Sequence, residues 1–198
     1  MGRNTPSMNN TQLEEYLEEH LNNELQWLLR AATEWHIQDR LNLELDGYHI
    51  QVYAMDSTFL HARTLFEFFT NPTSNNYYGL NAFGLSPLTS TLYSTDWVSV
   101  LHGYLMHAQD RSNPRPVSSF DGTTTKHLNQ MPVDFAHEVV RLWKDFVIAL
   151  RASSDSNMRA LAPIADAILN DAIANAKRVH SRFPVQEPDL STVPSIVW

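Results

Sequence analysis

The sequence predicts an all-α fold, a single helical bundle of about five main helices with two long irregular loops. Apolar residues recur at steps of three and four along much of the chain, which is the spacing of a helix with one buried face. Two stretches, residues 70–95 and 108–132, are instead rich in Asn, Ser, Thr, Gly and Pro, which favour irregular connections. With 198 residues, 43% of them hydrophobic, the chain is long enough for one domain with a substantial core.

The first predicted helix runs from about Thr11 to Ile37. Thr11 and Glu14 have the spacing of a capping box, in which a hydroxyl and a carboxylate satisfy free amides at the helix start. Residues 38–49 are ambiguous, because leucines at 41, 43 and 45 alternate as in a strand before an Asp-Gly turn. The second helix, about Ile50 to Phe69, is the most hydrophobic and is expected to be central.

Three further helices are predicted. Thr95 has the position of a cap for a third helix over residues 96–108, and a short helix is expected near His127. The fourth, about residues 133–152, has an aromatic face and is expected to share the centre with the second. The fifth begins near Asn157, or at Pro163 as a first-turn proline, and ends near Ser181 with a thin, alanine-rich inner face. Residues 1–10 are expected to be disordered, 11–182 to form the bundle and 183–198 to be an extended tail.

Composition excludes several kinds of chemistry. The chain has no cysteine, which rules out disulfides, thiolate nucleophiles and cysteine–zinc sites. Its net charge of −8 excludes a generally basic surface for nucleic acid, so such a site would have to be local. Its six glycines form no phosphate-binding loop, and no cofactor is expected. Because neither a secretory signal nor an apolar run of about 18 residues occurs, we predict a cytoplasmic protein with no membrane partner.

Nine histidines raise the question of a metal site. Two histidine ligands on one helix need a spacing of three or four, and no two histidines here have it. His102 and His107, five apart, would lie about 140° apart around a helix. We therefore predict that no metal binds at a site built from two or more histidines.

The second helix carries a distinctive set of polar side chains. On a helical wheel Asp56, Arg63 and Glu67 lie within about 40° of one another, outside the apolar arc. His61 lies about 200° from Arg63, at the other edge of that arc. The two side chains therefore do not point into one pocket. We predict that His61 is mostly buried with one hydrogen bond, and that Arg63 pairs with Asp56 or Glu67.

The same helix carries a family resemblance. The run Leu60-His61-Ala62-Arg63-Thr64-Leu65, followed by Asp96-Trp97 and Lys126-His127-Leu128, resembles a group of uncharacterised bacterial all-helical proteins with an "LxHARxLxxFF" helix. The final Phe68-Phe69 departs from that pattern by one residue. The resemblance covers about residues 12–150 and implies a helical bundle, with no activity attached. In outline these bundles are also similar to HEPN proteins, whose active members are metal-independent ribonucleases.

The HEPN similarity implies an arginine that steadies the scissile phosphate and a histidine, a few residues later, that transfers protons. Only Arg30 and His36 have that spacing. With 11 arginines and nine histidines, a match is expected by chance, so the spacing alone does not identify a nuclease. Arg63 and His127 form the second candidate catalytic neighbourhood.

A stripe of cationic side chains on the fourth helix is the candidate nucleic-acid site. It lies opposite the aromatic face and consists of His137, Arg141, Lys144 and Arg151, with Ile148 among them. Such a stripe has the geometry to follow a phosphate backbone. The alternative is an ordinary solvated face, because Glu138 and Asp145 flank it and the whole chain is acidic.

Three functions remain open from the sequence. The first is a non-catalytic bacterial helical-bundle protein that acts through protein or nucleic-acid contacts, in stress or phage defence. The others are a HEPN-like metal-independent ribonuclease and a bundle that binds a small molecule. We also predict a homodimer, with RNA or another protein as a further partner, because the fifth helix buries little and the tail ends in Ile196-Val197-Trp198. A solvent-facing Ile148 would favour the dimer, whereas a tail folded onto its own bundle is the alternative.

Overall fold

The computed structural model describes residues 8–41, 46–72, 78–90, 92, 116–118, 124–182 and 195–198. Within these ranges the protein is an all-α bundle of four long helices, which confirms the predicted fold class. The predicted helix over residues 96–108, with its cap Thr95, lies outside the described residues. The described bundle therefore has four main helices where about five were predicted. No helix of the described chain combines the length and apolar character that crossing a membrane requires.

The first long helix, α1, is continuous but changes its winding. It comprises an α-helical turn at Asn10–Glu15, a π-helical segment at Tyr16–Leu21 and a second α-helical part at Asn22–Leu41. The capping box at its start is Asn9 with Gln12, each side chain accepting from the other residue's backbone amide at 3.0 Å. The prediction of Thr11 with Glu14 was wrong by two residues, because amide side chains satisfy the same free donors.

The ambiguous stretch after α1 contains no strand in its described residues. α1 continues to Leu41, and the second helix, α2, already begins at Asp46 and ends at Thr70. The alternating leucines therefore did not produce a strand at residues 38–41 or 46–49. Helical bonding to the preceding turns was available to these residues, and an isolated strand has no such partner.

The last two long helices follow the prediction with one correction. The helix α3 spans Pro132–Ala152, with the proline in its first turn. The helix α4 spans Ser156–Arg182, so Pro163 lies inside it and does not start it. The carboxylate of Asp155 accepts from the amide of Asn157 at 2.8 Å at the helix start. Burial of Met158 and Leu161 offsets the missing proline N–H.

The connections hold short regular segments. A 3₁₀ helix at Leu80–Phe83 ends at Gly84, whose φ of 66° favours glycine. The expectation of an irregular chain over residues 108–132 was wrong at two places, because β1 (Pro116–Ser118) pairs antiparallel with β2 (Thr125–His127). The short helix expected near His127 is confirmed as a 3₁₀ helix at Leu128–Gln130.

An aromatic cluster forms the centre of the core. Phe68 and Phe83 both meet the ring of Phe146 edge to face, at centroid distances of 5.8 and 5.4 Å. Phe69 meets Trp143 at 6.0 Å, and the Trp143 indole N–H donates to the carbonyl of Ala165 on α4 at 2.9 Å. These rings join α2 to α3 at the centre of the bundle, as predicted.

The described end of the chain, residues 195–198, lies against the bundle. Ile196 and Trp198 are half-buried, and Trp198 packs on the core. The imidazole Nε2 of His137 lies 2.8 Å from the Val197 carbonyl, and its ring centroid lies 5.5 Å from that of Trp198. This part of the predicted tail is therefore folded onto its own chain, as the alternative proposed.

Candidate functional site: an apolar groove between two helices

A shallow groove of about 320 Å³ runs along the outside of α1 and α2. We call it the α1–α2 groove. Its lining is mostly apolar, and it comes from one face of each helix and from the end of α4. The lining residues are Trp27, Arg30, Ala31, Glu34, Ile50, Tyr53, Ala54, Ser57 and Val179.

The shape of the groove follows from side-chain size. Its floor contains Ala31 and Ala54, both buried, and small side chains let the two helices approach closely. Its rim consists of Trp27, Ile50 and Tyr53, which remain 54, 45 and 70% exposed. Large apolar side chains at a rim above a small-residue floor form a surface that another apolar side chain can enter.

No sequence pattern predicts this groove. The periodic apolar residues mark the buried faces of the two helices, and Trp27 and Tyr53 lie off those faces. The available signal was their size, because a tryptophan and a tyrosine on the outer face of amphipathic helices are unusual for a solvated surface. Their coming together depends on how α1 and α2 pack, which no local pattern predicts.

The two residues with HEPN-like spacing lie on different sides of α1. Arg30 is exposed at the groove and forms no ion pair within the described part of the chain. His36 is half-buried, and six residues of helix place it about 240° further round. The helix therefore does not bring this pair into one cleft.

Arg63 and His127, the second candidate catalytic pair, each form local structural contacts. The Arg63 guanidinium donates to the Glu67 carboxylate at 3.0 Å, which confirms the predicted ion pair. His127 closes a capping box with Gln130 at the start of the 3₁₀ helix, and its own amide donates to the Gln130 side chain at 3.1 Å. Each side chain has a structural role where it stands.

His61 joins α2 to α1. Its side chain is 18% exposed, and its Nδ1 lies 2.8 Å from the Glu24 carboxylate. The prediction of a mostly buried histidine with a hydrogen bond is confirmed. The sequence did not identify the partner, which is 37 positions away along the chain.

The cationic stripe on α3 is interleaved with carboxylates. Arg141 bonds both oxygens of the buried Glu138, at 2.7 and 2.8 Å, and also Asp145 at 2.7 Å. Hydrogen bonding to Glu138 raises the pKa of Arg141 above its ordinary value. Arg151 pairs with Asp166 at 2.9 Å, and His137 holds the tail.

Lys144 is the member of the stripe that is exposed and has no ion pair among the described residues. The stripe on α3 therefore resembles an ordinary solvated helix face, the alternative given above, more closely than a continuous binding surface for phosphates.

A second, smaller cavity of about 200 Å³ adjoins the π-helical segment. The ring of Tyr16 meets those of Tyr78 and His20 there, at 5.6 and 5.4 Å. Burial, and then the charges of Glu24 and Tyr78, raise the pKa of Tyr16 to about 12. The phenol is therefore neutral at physiological pH.

Within the described ranges no group of three or more potential ligands stands close enough to hold a metal ion. No family model, curated protein or solved structure matches this chain.

Proposed function

We propose that this chain is a non-catalytic helical-bundle protein that acts through protein contacts, and that the α1–α2 groove is its contact surface. The observation that carries the proposal is the exposed rim of Trp27, Ile50 and Tyr53 above a small-residue floor. Exposed apolar patches on folded domains mark interaction sites, since water solvates them poorly. We place the protein in the cytoplasm and expect it to form a homodimer.

Contact with protein fits the charges better than contact with RNA. The chain is acidic, and three of the four stripe residues already bind groups of the chain itself. A ribonuclease needs an arginine and a histidine that converge on one phosphate. Arg30 and His36 are on different sides of α1, and Arg63 is paired with Glu67.

A small-molecule ligand is also a poorer occupant of the groove. Ligand sites usually add a few convergent polar groups to an enclosed apolar cavity. The polar side chains of this groove are Arg30, Glu34 and Ser57, and the space is wide open. An apolar side chain presented by another protein needs no such anchors.

Photo-crosslinking tests the proposal. A benzophenone amino acid is placed at Tyr53, in the groove, and in a matched variant at Lys144, on the exposed face of α3. Each protein is irradiated in native cell extract. We expect protein adducts from position 53 that disappear with Trp27→Glu, and a much weaker pattern from position 144.

Crosslinks to RNA from position 53, or equal protein adducts from both positions, would overturn the proposal. In parallel, the purified chain is incubated with labelled RNA, with and without a chelator. We expect no cleavage in either case. Cleavage that persists with chelator and is lost in Arg30→Ala would instead support the ribonuclease.

A further inference from the structure

The geometry points to a second copy of this chain as the occupant of the α1–α2 groove, in a two-fold dimer with α2 at its centre. This inference rests on the proposed function and names the partner. Three features carry it: a row of outward positions along α2 that begins in the groove, the charge of the groove lining, and the order of the two charged residues on α1.

The outward face of α2 has the spacing of a helix-pairing seam. Positions 50, 53, 57, 60 and 64 repeat at alternating steps of three and four, as in the a and d positions of a heptad. Ile50, Tyr53 and Leu60 occupy three of these positions and are 45, 70 and 51% exposed. The small side chains of Ser57 and Thr64 occupy the others, which leaves room for a neighbour's large ones. The row therefore combines protrusions and gaps on one face.

The charge around the groove permits a like-charged copy to approach. Two chains with a net charge of −8 repel each other over most of their surface. The repulsion is strong at the start of α1, where Glu14, Glu15, Glu18 and Glu19 are all exposed. The groove has one cation and one anion, Arg30 and Glu34, so its own charge is zero. A second copy therefore meets less repulsion at the groove than at the start of α1.

The order of these two charges is self-complementary. A two-fold axis between positions 30 and 34 sets the α1 helices of the two copies antiparallel. Arg30 of one copy then faces Glu34 of the partner subunit, and the same contact occurs twice. Arg30 has no ion pair within the described part of its own chain, so its guanidinium is available for this contact.

The exposed face of α3 and residues 195–198 are less suitable as contact surfaces for a second copy. Ile148 on α3 is 60% exposed, which the sequence analysis took as favouring a dimer. It is a single apolar side chain between the charged Lys144 and Arg151, so it extends no apolar row. Residues 195–198 already lie against their own bundle, through His137 and Trp198.

Sedimentation and light scattering across the micromolar range test the inference. We expect the wild type to dimerise and Tyr53→Lys to raise the dimer Kd by about tenfold or more, because it places a charge in the seam. Ile148→Lys is the matched control, with the same new charge on an exposed apolar site of α3. It should leave the Kd within about twofold of the wild type, since surface changes away from an interface are near neutral. Circular dichroism and the thermal midpoint confirm that each variant is folded.

Charge exchange tests the two-fold contact itself. Arg30→Glu and Glu34→Arg should each weaken the dimer, because each places like charges opposite one another. The double variant carries both changes and restores opposite charges across the axis, so its Kd should return to within about twofold of the wild type.

The outcomes separate this inference from the proposed function. A monomeric wild type, a dimer lost in Ile148→Lys and kept in Tyr53→Lys, or a double variant that does not recover would overturn the inference. If the wild type is monomeric but position 53 crosslinks to a different protein, the inference fails and the proposed function stands. If neither a dimer nor a specific crosslink is found, both fail.

Discussion

The carboxylate of Glu138 has no solvent exposure. Its buried negative charge must therefore be compensated by neighbouring side chains. It accepts hydrogen bonds from the Arg141 guanidinium at 2.7 and 2.8 Å and from the Ser90 hydroxyl at 2.6 Å. Arg141 also donates to the Thr89 carbonyl at 3.0 Å. These hydrogen bonds connect residues 89–90 to α3. Arg141, a candidate nucleic-acid-binding residue, therefore has a structural role.

Arg141→Ala should lower the free energy of unfolding by about 2–3 kcal/mol, less than for a fully buried pair because the guanidinium is partly exposed. The loss follows because the substitution removes the guanidinium that compensates the buried Glu138 charge. Lys144→Ala, one turn further on and exposed, is the control and should change stability by less than about 0.5 kcal/mol. Urea unfolding of the three proteins measures both. Equal effects would mean that Arg141 is an ordinary surface cation.

Tyr16 makes stability depend on pH at the alkaline end. The folded state raises its pKa from 10.0 to about 12, because burial disfavours the phenolate. The stabilisation is complete below pH 10 and is lost as pH rises toward 12, since the unfolded chain ionises first. Relative to Tyr16→Phe, the wild type should lose about 1 kcal/mol of unfolding free energy between pH 9 and 11. A difference that stays constant over this range, measured by urea unfolding, would contradict the assignment.

The π-helical segment of α1 keeps four leucines on the same face of the helix. Leucines at 13, 17, 21 and 25 are all buried, although each step of four overshoots an α-helical turn by about 40°. In a regular helix the four would spread over about 120°. The hydrogen bonds of a π-helix span one residue more per turn, so the segment Tyr16–Leu21 absorbs the drift. The four leucines consequently share one face.

Deleting Glu18, an exposed residue in the π segment, should convert it to regular α-helix and keep the leucines on the core face. We expect the unfolding free energy to change by less than about 1 kcal/mol, because no buried group is lost. Deleting the exposed Asp171 is the control, since α4 is regular there and the residues beyond it would rotate by about 100°. That deletion should lower the unfolding free energy by about 2–5 kcal/mol, because core contacts beyond it are lost. Chemical unfolding compares the two, and a larger loss from the Glu18 deletion would refute the phase argument.

At the scale of the bundle, Ile196 and Trp198 cover one of its sides. They lie there beside Thr33 and Ala176. The predicted self-association through this segment is therefore not needed to bury Ile196 and Trp198. Residues 195–198 do not line the α1–α2 groove.

Removing residues 195–198 should lower the unfolding free energy by about 1–2 kcal/mol, the value of two half-buried apolar side chains less the entropy of ordering them. The oligomeric state should not change. Thermal unfolding and light scattering on the shortened and full chains measure the two properties. A dimer lost on shortening would place the tail in the interface.

Elements could be predicted where neighbours along the chain decide the outcome. The cores of α2 and α3, with Phe59, Phe69 and Phe146, follow from periodic burial alone, and these side chains are indeed buried. The helix start at Asn9 and the continuation to Leu41 were missed, because several nearby residues compete for a cap and a short apolar run fits two periods. The interior position of Pro163 was missed because core packing outweighs its local cost.

The sequence by itself determined the helical class, the buried faces and the pairing of Arg63 with Glu67, since residues four apart on a helix are neighbours whatever the fold. Only the tertiary structure decided that Glu24 meets His61, that Ser90 meets Glu138, and that Trp27 and Tyr53 flank one groove. These contacts join residues from different helices or from a loop and a helix. They depend on the packing angle and register of whole elements, which many side chains set together and no short pattern encodes.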